Sequence, residues 1–225
     1  MQNQNFIKIG KDTLIDDDYQ GFKNLVMSYL FFKRDLNNQI TISLTLMCQE
    51  LGIPYHSPTI RNAKTILSII QSLIDEDKLV FEPRLASSLS DLNGTTPFIL
   101  TVTAPFTSYS NNFVMVSQPE LYKFTQYLLY NSTNIRSTKL FSVFLIIKSY
   151  MNMNPNFTPY CNISLSKLGL LSGLRGASLK EALSILESAK LIYITHYASS
   201  NSMVHTLYTL TPCSDDDLAN IINIH

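Results

Sequence analysis

The chain has 225 residues, with 17 Lys and Arg against 17 Asp and Glu, so its formal net charge is zero. Hydrophobic residues make up 45% and charged residues only 15%. That balance excludes an intrinsically disordered chain, a basic nucleic-acid tail and a polybasic membrane anchor. The three cysteines, Cys48, Cys161 and Cys213, are widely spaced and form no C-x-x-C pair, the usage of reduced intracellular thiols. Met1 to Asn5 is polar, no signal-type apolar run follows, and no apolar stretch is long enough for a bilayer, so a cytoplasmic protein is expected.

In chain order, Phe6 to Ile9 reads as a short strand broken by one polar residue, Lys8. Aspartates 16 to 18 read as a helix-start cluster rather than a metal site. Phe22 to Phe32 is then apolar on nearly every face, as a buried or interface helix would be. Ser43 can cap a helix that runs to about Leu51 and ends at Gly52. From about Thr59 to Asp75, Ala63, Ile66, Leu67, Ile70, Leu73 and Ile74 fall on one helical face. Leu79 to Phe81 and Phe98 to Val102 pair naturally as a hairpin with a long polar tip.

Thr103 to Asn111 carries Pro, Ser and Asn without apolar periodicity and marks a boundary. After the strand-like Phe113 to Val116, Pro119 suits the first turn of a helix ending at Tyr130, followed by an apolar helix from Thr138 to Met151. Ser164 caps the next helix, Gly173 supplies a tight turn, and Leu179, Ala182, Leu183 and Leu186 line a further helix. Leu191 to Thr195 and Val204 to Leu210 complete a hairpin, and Asp215 to Asp217 open a short C-terminal helix.

These elements repeat. Asn5-Phe6-Ile7-Lys8-Ile9 recurs as Asn112-Phe113-Val114-Met115-Val116, and Ile42-Ser43-Leu44 recurs as Ile163-Ser164-Leu165. Lys78-Leu79-Val80-Phe81 recurs as Lys190-Leu191-Ile192-Tyr193. Three matches in one order, with drifting loops between them, indicate a duplication. The expected domains are 1–103 and 112–210, followed by a tail over 211–225. The apolar helices Phe22–Phe32 and Thr138–Met151 would pack the two copies together.

Ser164, Leu168, Gly173, Leu179, Ala182, Leu183, Leu186 and Leu191-Ile192 form the pattern of a winged helix-turn-helix, and most of the second copy resembles that superfamily. The first copy departs from it through Pro54-Tyr55-His56-Ser57-Pro58 and a longer third helix. The whole resembles the tandem winged-helix replication initiators of bacterial plasmids and phages, and single copies are similar to the N-terminal domain of DnaD-like primosome proteins. The resemblance implies a mainly α, α+β protein of two tandem winged-helix domains whose third helices enter adjacent major grooves while the wings touch the backbone.

On those third helices Arg61, Asn62, Lys64 and Thr65 in the first copy, and Arg175, Ser178, Lys180 and Ser184 in the second, lie on polar faces. Arg and Asn suit base edges, whereas Lys and Ser suit phosphates. His196 and Asn201 belong to the second wing. Glu181 and Glu187 beside Lys180, and Asp75-Glu76-Asp77, weaken the local positive field. The four histidines have no metal spacing, and there is no phosphate-binding glycine loop, dinucleotide fingerprint or zinc-protease motif. No enzyme, metal or cofactor is expected. The expected partner is double-stranded DNA, bound by a replication initiator or a transcriptional regulator of a mobile element. Neutral charge and unusually apolar helices also fit a protein-interaction module, similar to condensin-type tandem winged-helix subunits or a primosome scaffold. A homodimer or a replication or condensation protein would then be its partner.

Overall fold

The computed structural model describes residues 6–14, 17–55, 61–83, 86–106, 112–152, 158–198 and 204–224. Strand β1 (Phe6–Gly10) buries Ile7 and Ile9 and turns Lys8 outward, the alternation expected of a half-buried strand. Its partner is the leading strand of the second copy, β5 (Phe113–Ser117), which buries Val114 and Val116 and runs antiparallel to it. The leading strands therefore join the two copies instead of each serving its own. The Lys8 ammonium lies 4.3 Å from the centre of the Phe113 ring, a cation–π contact on the outer face.

Helix α1 (Asp18–Lys33) begins where the Asp17 carboxylate accepts a hydrogen bond from the Tyr19 backbone N–H at 2.8 Å. It buries Leu25, Val26, Tyr29 and Leu30, side chains spread around its circumference. In the first copy follow β2 (Gln39–Ile42), α2 (Leu44–Glu50), α3 (Arg61–Asp75), β3 (Leu79–Glu82) and β4 (Phe98–Val102). The Ser43 hydroxyl accepts from Leu46 N–H at the start of α2, as the sequence requires of a cap. The stripe Ala63, Ile66, Ile69, Ile70 and Leu73 of α3 is buried.

The second copy repeats this order with one helix added. Helix α4 (Gln118–Tyr130) precedes α5 (Ser137–Ser149), then come β6 (Tyr160–Cys161), α6 (Leu165–Ser172), α7 (Gly176–Ser188), β7 (Tyr193–Ala198) and β8 (Val204–Thr209). Ser164 caps α6 by accepting from Lys167 N–H, and Gly173 ends it in the left-handed region at φ 69°. The three-stranded sheets have corresponding strand orders, β2-β4-β3 and β6-β8-β7, both antiparallel. The protein is thus a mixed α+β fold with small sheets.

Helices α1 and α5 cross at the centre, where the side chain missing from Gly21 leaves room for Ser142. A Cβ on Gly21 would stand 2.7 Å from the Ser142 hydroxyl. Helix α4 reaches over to the first copy and rests Leu128 on Gly52, whose φ of 61° also demands glycine. One hydrophobic core therefore runs through both copies. Helix α8 (Asp215–Ile224) covers the outer face of the second sheet with a smaller cluster of Ile221, Tyr160 and Leu207.

The β3–β4 connection differs from the expected polar tip. Leu89 and Leu92 are buried in the main core, and Leu89–Asp91 forms a 3-10 turn in contact with α3. The backbone N–H and hydroxyl of Thr45, on α2, both donate to the Gly94 carbonyl, at 2.9 and 2.8 Å. The connection is thus folded down over the α2–α3 pair. Burying two leucines outweighs the turn-forming character of the residues around them.

Candidate nucleic-acid interface

Because Leu179, Ala182, Leu183 and Leu186 hold α7 to the core, its remaining face is left in solvent. Arg175, Ser178, Lys180 and Ser184 are all exposed there. Two carboxylates on the same helix are engaged elsewhere. Glu181 accepts from the Asn134 side-chain amide at 3.3 Å, and Glu187 from Ile194 N–H at 3.1 Å. Arg175 and Lys180 line a cavity of about 420 Å³ between α6 and α7, together with Leu165, Leu170 and Leu179. Gly176 opens the helix at φ 52° with open space where a side chain would be, so the first turn is accessible.

In the first copy, Arg61 and Lys64 are exposed, whereas Asn62 and Thr65 are half-buried. Thr65 donates its hydroxyl proton to the Arg61 carbonyl at 2.8 Å, and the Asn62 amide donates to Pro54 O at 3.5 Å. Arg61, Asn62 and Thr65 line a second cavity, of about 310 Å³, with Asp18, Tyr19 and Arg136 at the junction of the copies. The predicted helix residues thus fall into two sets, one on α7 and one on α3, where Arg61, Asn62 and Thr65 face the junction.

A polar chain runs from the junction to the end of α6. Asp18 accepts from Arg136 at 3.2 Å and pairs with Lys139 at 3.0 Å. Lys139 in turn donates to Ser172 O, at the end of α6, at 3.4 Å. The Lys139 hydrogen bond, opposed by burial and aided by the charges of Lys139, Arg136 and Arg61, holds the Asp18 carboxyl below its usual range. Neither Arg136, at the N-cap position of α5 ahead of the helix expected from Thr138, nor Lys139, at its start, carries a sequence signal of its own beside the apolar residues that define that helix.

On the β7–β8 hairpin, His196 is exposed and its Nδ1 lies 3.2 Å from the Thr206 hydroxyl. Tyr197 stacks on His205 with ring centres 5.3 Å apart. Asn201 lies outside the described residues, as does Asp16 of the acidic run. Burial pushes the Cys48 and Cys161 thiols up to about 11, which keeps them protonated and unreactive near neutrality. Among the described residues no group of three His, Cys, Asp or Glu side chains could hold a metal ion. No described helix is long and apolar enough to cross a membrane. No family model matches the chain, and no curated protein is significantly similar to it.

Proposed function

We propose that this chain is a non-enzymatic tandem winged-helix protein that binds duplex DNA sequence-specifically, as a replication initiator or transcriptional regulator of a mobile element. The second copy is its principal reader. The observation that carries this reading is the outward polar face of α7, with Arg175, Ser178, Lys180 and Ser184 exposed beside the β7–β8 hairpin. A helix of that kind presents short hydroxyls and long cations at the spacing of a major-groove edge. The open space beside Gly176 leaves the start of α7 approachable by a backbone phosphate. In the first copy the β3–β4 connection is folded onto the helix pair, and Asn62 and Thr65 bond to their own backbone neighbourhood. That copy contributes Arg61 and Lys64 as phosphate contacts at most.

With zero net charge, little non-specific affinity is available, and specific contacts must carry the binding. The test is a polarisation titration of random duplex against duplex from the region flanking the chain's own gene, at two salt concentrations. Preference for the flanking duplex supports the reading, and it disappears in the folded double variant Arg175→Ala/Lys180→Ala. Absence of binding to either duplex overturns it.

A further inference from the structure

The two copies treat the same groove differently. In the first, the groove between α2 and α3 is occupied by the chain itself: Leu89 and Leu92 are buried, and Gly94 O receives both donors of Thr45. Thr45 and Ser166 are the second residues of α2 and α6 and correspond in the repeat, as do Leu44 and Leu165. Leu44 has no exposed surface, whereas Leu165 is 40% and Leu170 74% exposed. The reason lies in the connections. Five residues separate β7 from β8 against fifteen between β3 and β4, too short a span to return over the helices.

We infer that the open α6–α7 groove is a docking site for a partner protein's short acidic helical turn of the form Leu-x-x-Leu. The occupant's form follows from the first copy, where leucines three apart in a 3-10 turn face the same way and flank an acidic residue, Asp91. Its charge follows from the groove. Arg175 and Lys180 line the cavity, and no carboxylate lines it among the described residues. Leu165, Leu170 and Leu179 receive the two apolar side chains, and the Ser166 hydroxyl and backbone N–H stand where Thr45 holds a carbonyl. This inference does not rest on DNA binding.

The test uses the full chain and a fluorescein-labelled peptide copying its own residues 86–97, followed by fluorescence polarisation. Two buried leucines give saturable binding with a Kd on the order of 10⁻⁴ to 10⁻³ M. The peptide carrying Leu89→Ala and Leu92→Ala does not bind. Leu170→Asp in the protein weakens binding at least tenfold without moving Tm, and Lys180→Glu weakens it in low salt. Failure to saturate, or binding that survives Leu170→Asp, overturns the proposal. So does a chain that is dimeric by light scattering and becomes monomeric on Leu170→Asp, because a second copy then fills the groove. Ser184→Ala, on the polar face of α7 and outside the cavity lining, weakens DNA binding and leaves peptide binding unchanged, so the two readings fail separately; peptide binding lost in that variant overturns the docking proposal.

Discussion

Lys8 stands directly opposite Met115 in the antiparallel ribbon, and Met115 is the residue that repeats Lys8 in the second copy. On either side the partners exchange. Ile7 pairs with Val116 and Ile9 with Val114, although the repeat matches Ile7 to Val114 and Ile9 to Val116. That exchange is the signature of a local two-fold axis through the Lys8–Met115 pair. Two copies of one motif meet through the same patch, as subunits of a symmetric dimer do. The continuous core and the α1–α5 crossing are what such a fused dimer requires.

The crossing gives the first prediction. Gly21 is close-packed against Ser142, with Thr138 O 3.6 Å from where a Cβ would sit. Gly21→Leu forces a branched side chain between α1 and α5 and costs about 1–3 kcal/mol, despite leucine's better helix propensity. Urea unfolding measures it. An unchanged or raised midpoint would show that the helices are free to separate.

Two buried tyrosines have opposite expectations. Tyr29 donates its hydroxyl proton to Glu50 Oε2 at 2.6 Å, a bond to a charged acceptor. The Tyr208 hydroxyl, fully buried beside Cys161, finds no hydrogen-bond partner among the described residues. Tyr29→Phe therefore destabilises by about 1.5–3 kcal/mol, while Tyr208→Phe is neutral or stabilises by roughly 1 kcal/mol. Thermal or urea melts of the two variants, side by side, check the difference in sign.

Much of this architecture was legible in local residues. Ser43 and Ser164 as caps, Gly173 as the turn and the inner stripes of α3 and α7 are short-range signals, and each element forms within a few residues of its predicted place. Strands β2 and β6 were missed because four and two residues leave no periodicity to detect. The β1–β5 pairing joins segments from opposite halves, and nothing in either strand says which partner it takes. Leu89 and Leu92 sit in a Ser-, Asp- and Asn-rich stretch, so composition hid their burial. At the candidate interface the exposed α7 residues were visible. The turning of Asn62 and Thr65 toward their own backbone depends on where Pro54 and α3 meet, which is tertiary information.

Glu76 makes stability depend on pH in a defined direction. Burial pushes its carboxyl up, but hydrogen bonds from Lys78, Lys23 and Ser72 outweigh that and bring it down from 4.5 to about 2. A group whose folded pKa is depressed stabilises above its unfolded pKa and loses that contribution as pH falls through the folded one. The side chain is 36% exposed, so the effect, after solvent screening, is about 1 kcal/mol. Glu76→Gln should lower stability by that amount at pH 7, with the gap to the parent chain closing between pH 4.5 and 2. A gap that persists at the acid end would assign the loss to packing instead.

Thr45 holds the β3–β4 connection through both its donors. Thr45→Val removes the hydroxyl while keeping the shape and the backbone bond, at a cost of about 1 kcal/mol. Hydrogen exchange should quicken over residues 88–96 and remain slow in α1 and α5. The matched change Ser166→Ala, in the open groove, leaves both stability and exchange unaltered. Equal effects at the two positions would mean that the groove of the second copy is also filled.

Salt dependence separates the ways in which the two copies could share a duplex. Each phosphate neutralised contributes about −0.9 to the slope of log K against log salt. If Arg61 and Lys64 act alongside Arg175 and Lys180, four contacts give a slope of about −3.6; if the second copy acts alone, two give about −1.8. The Asp18 carboxylate beside Arg61, and the cavity both residues line, favour the smaller value. Removing that carboxylate with Asp18→Asn also releases Arg136 from its ion pair, so the slope should steepen by one or more contacts. A slope near −3.6 in the parent chain, unaltered by Asp18→Asn, would place the first copy on the DNA from the outset.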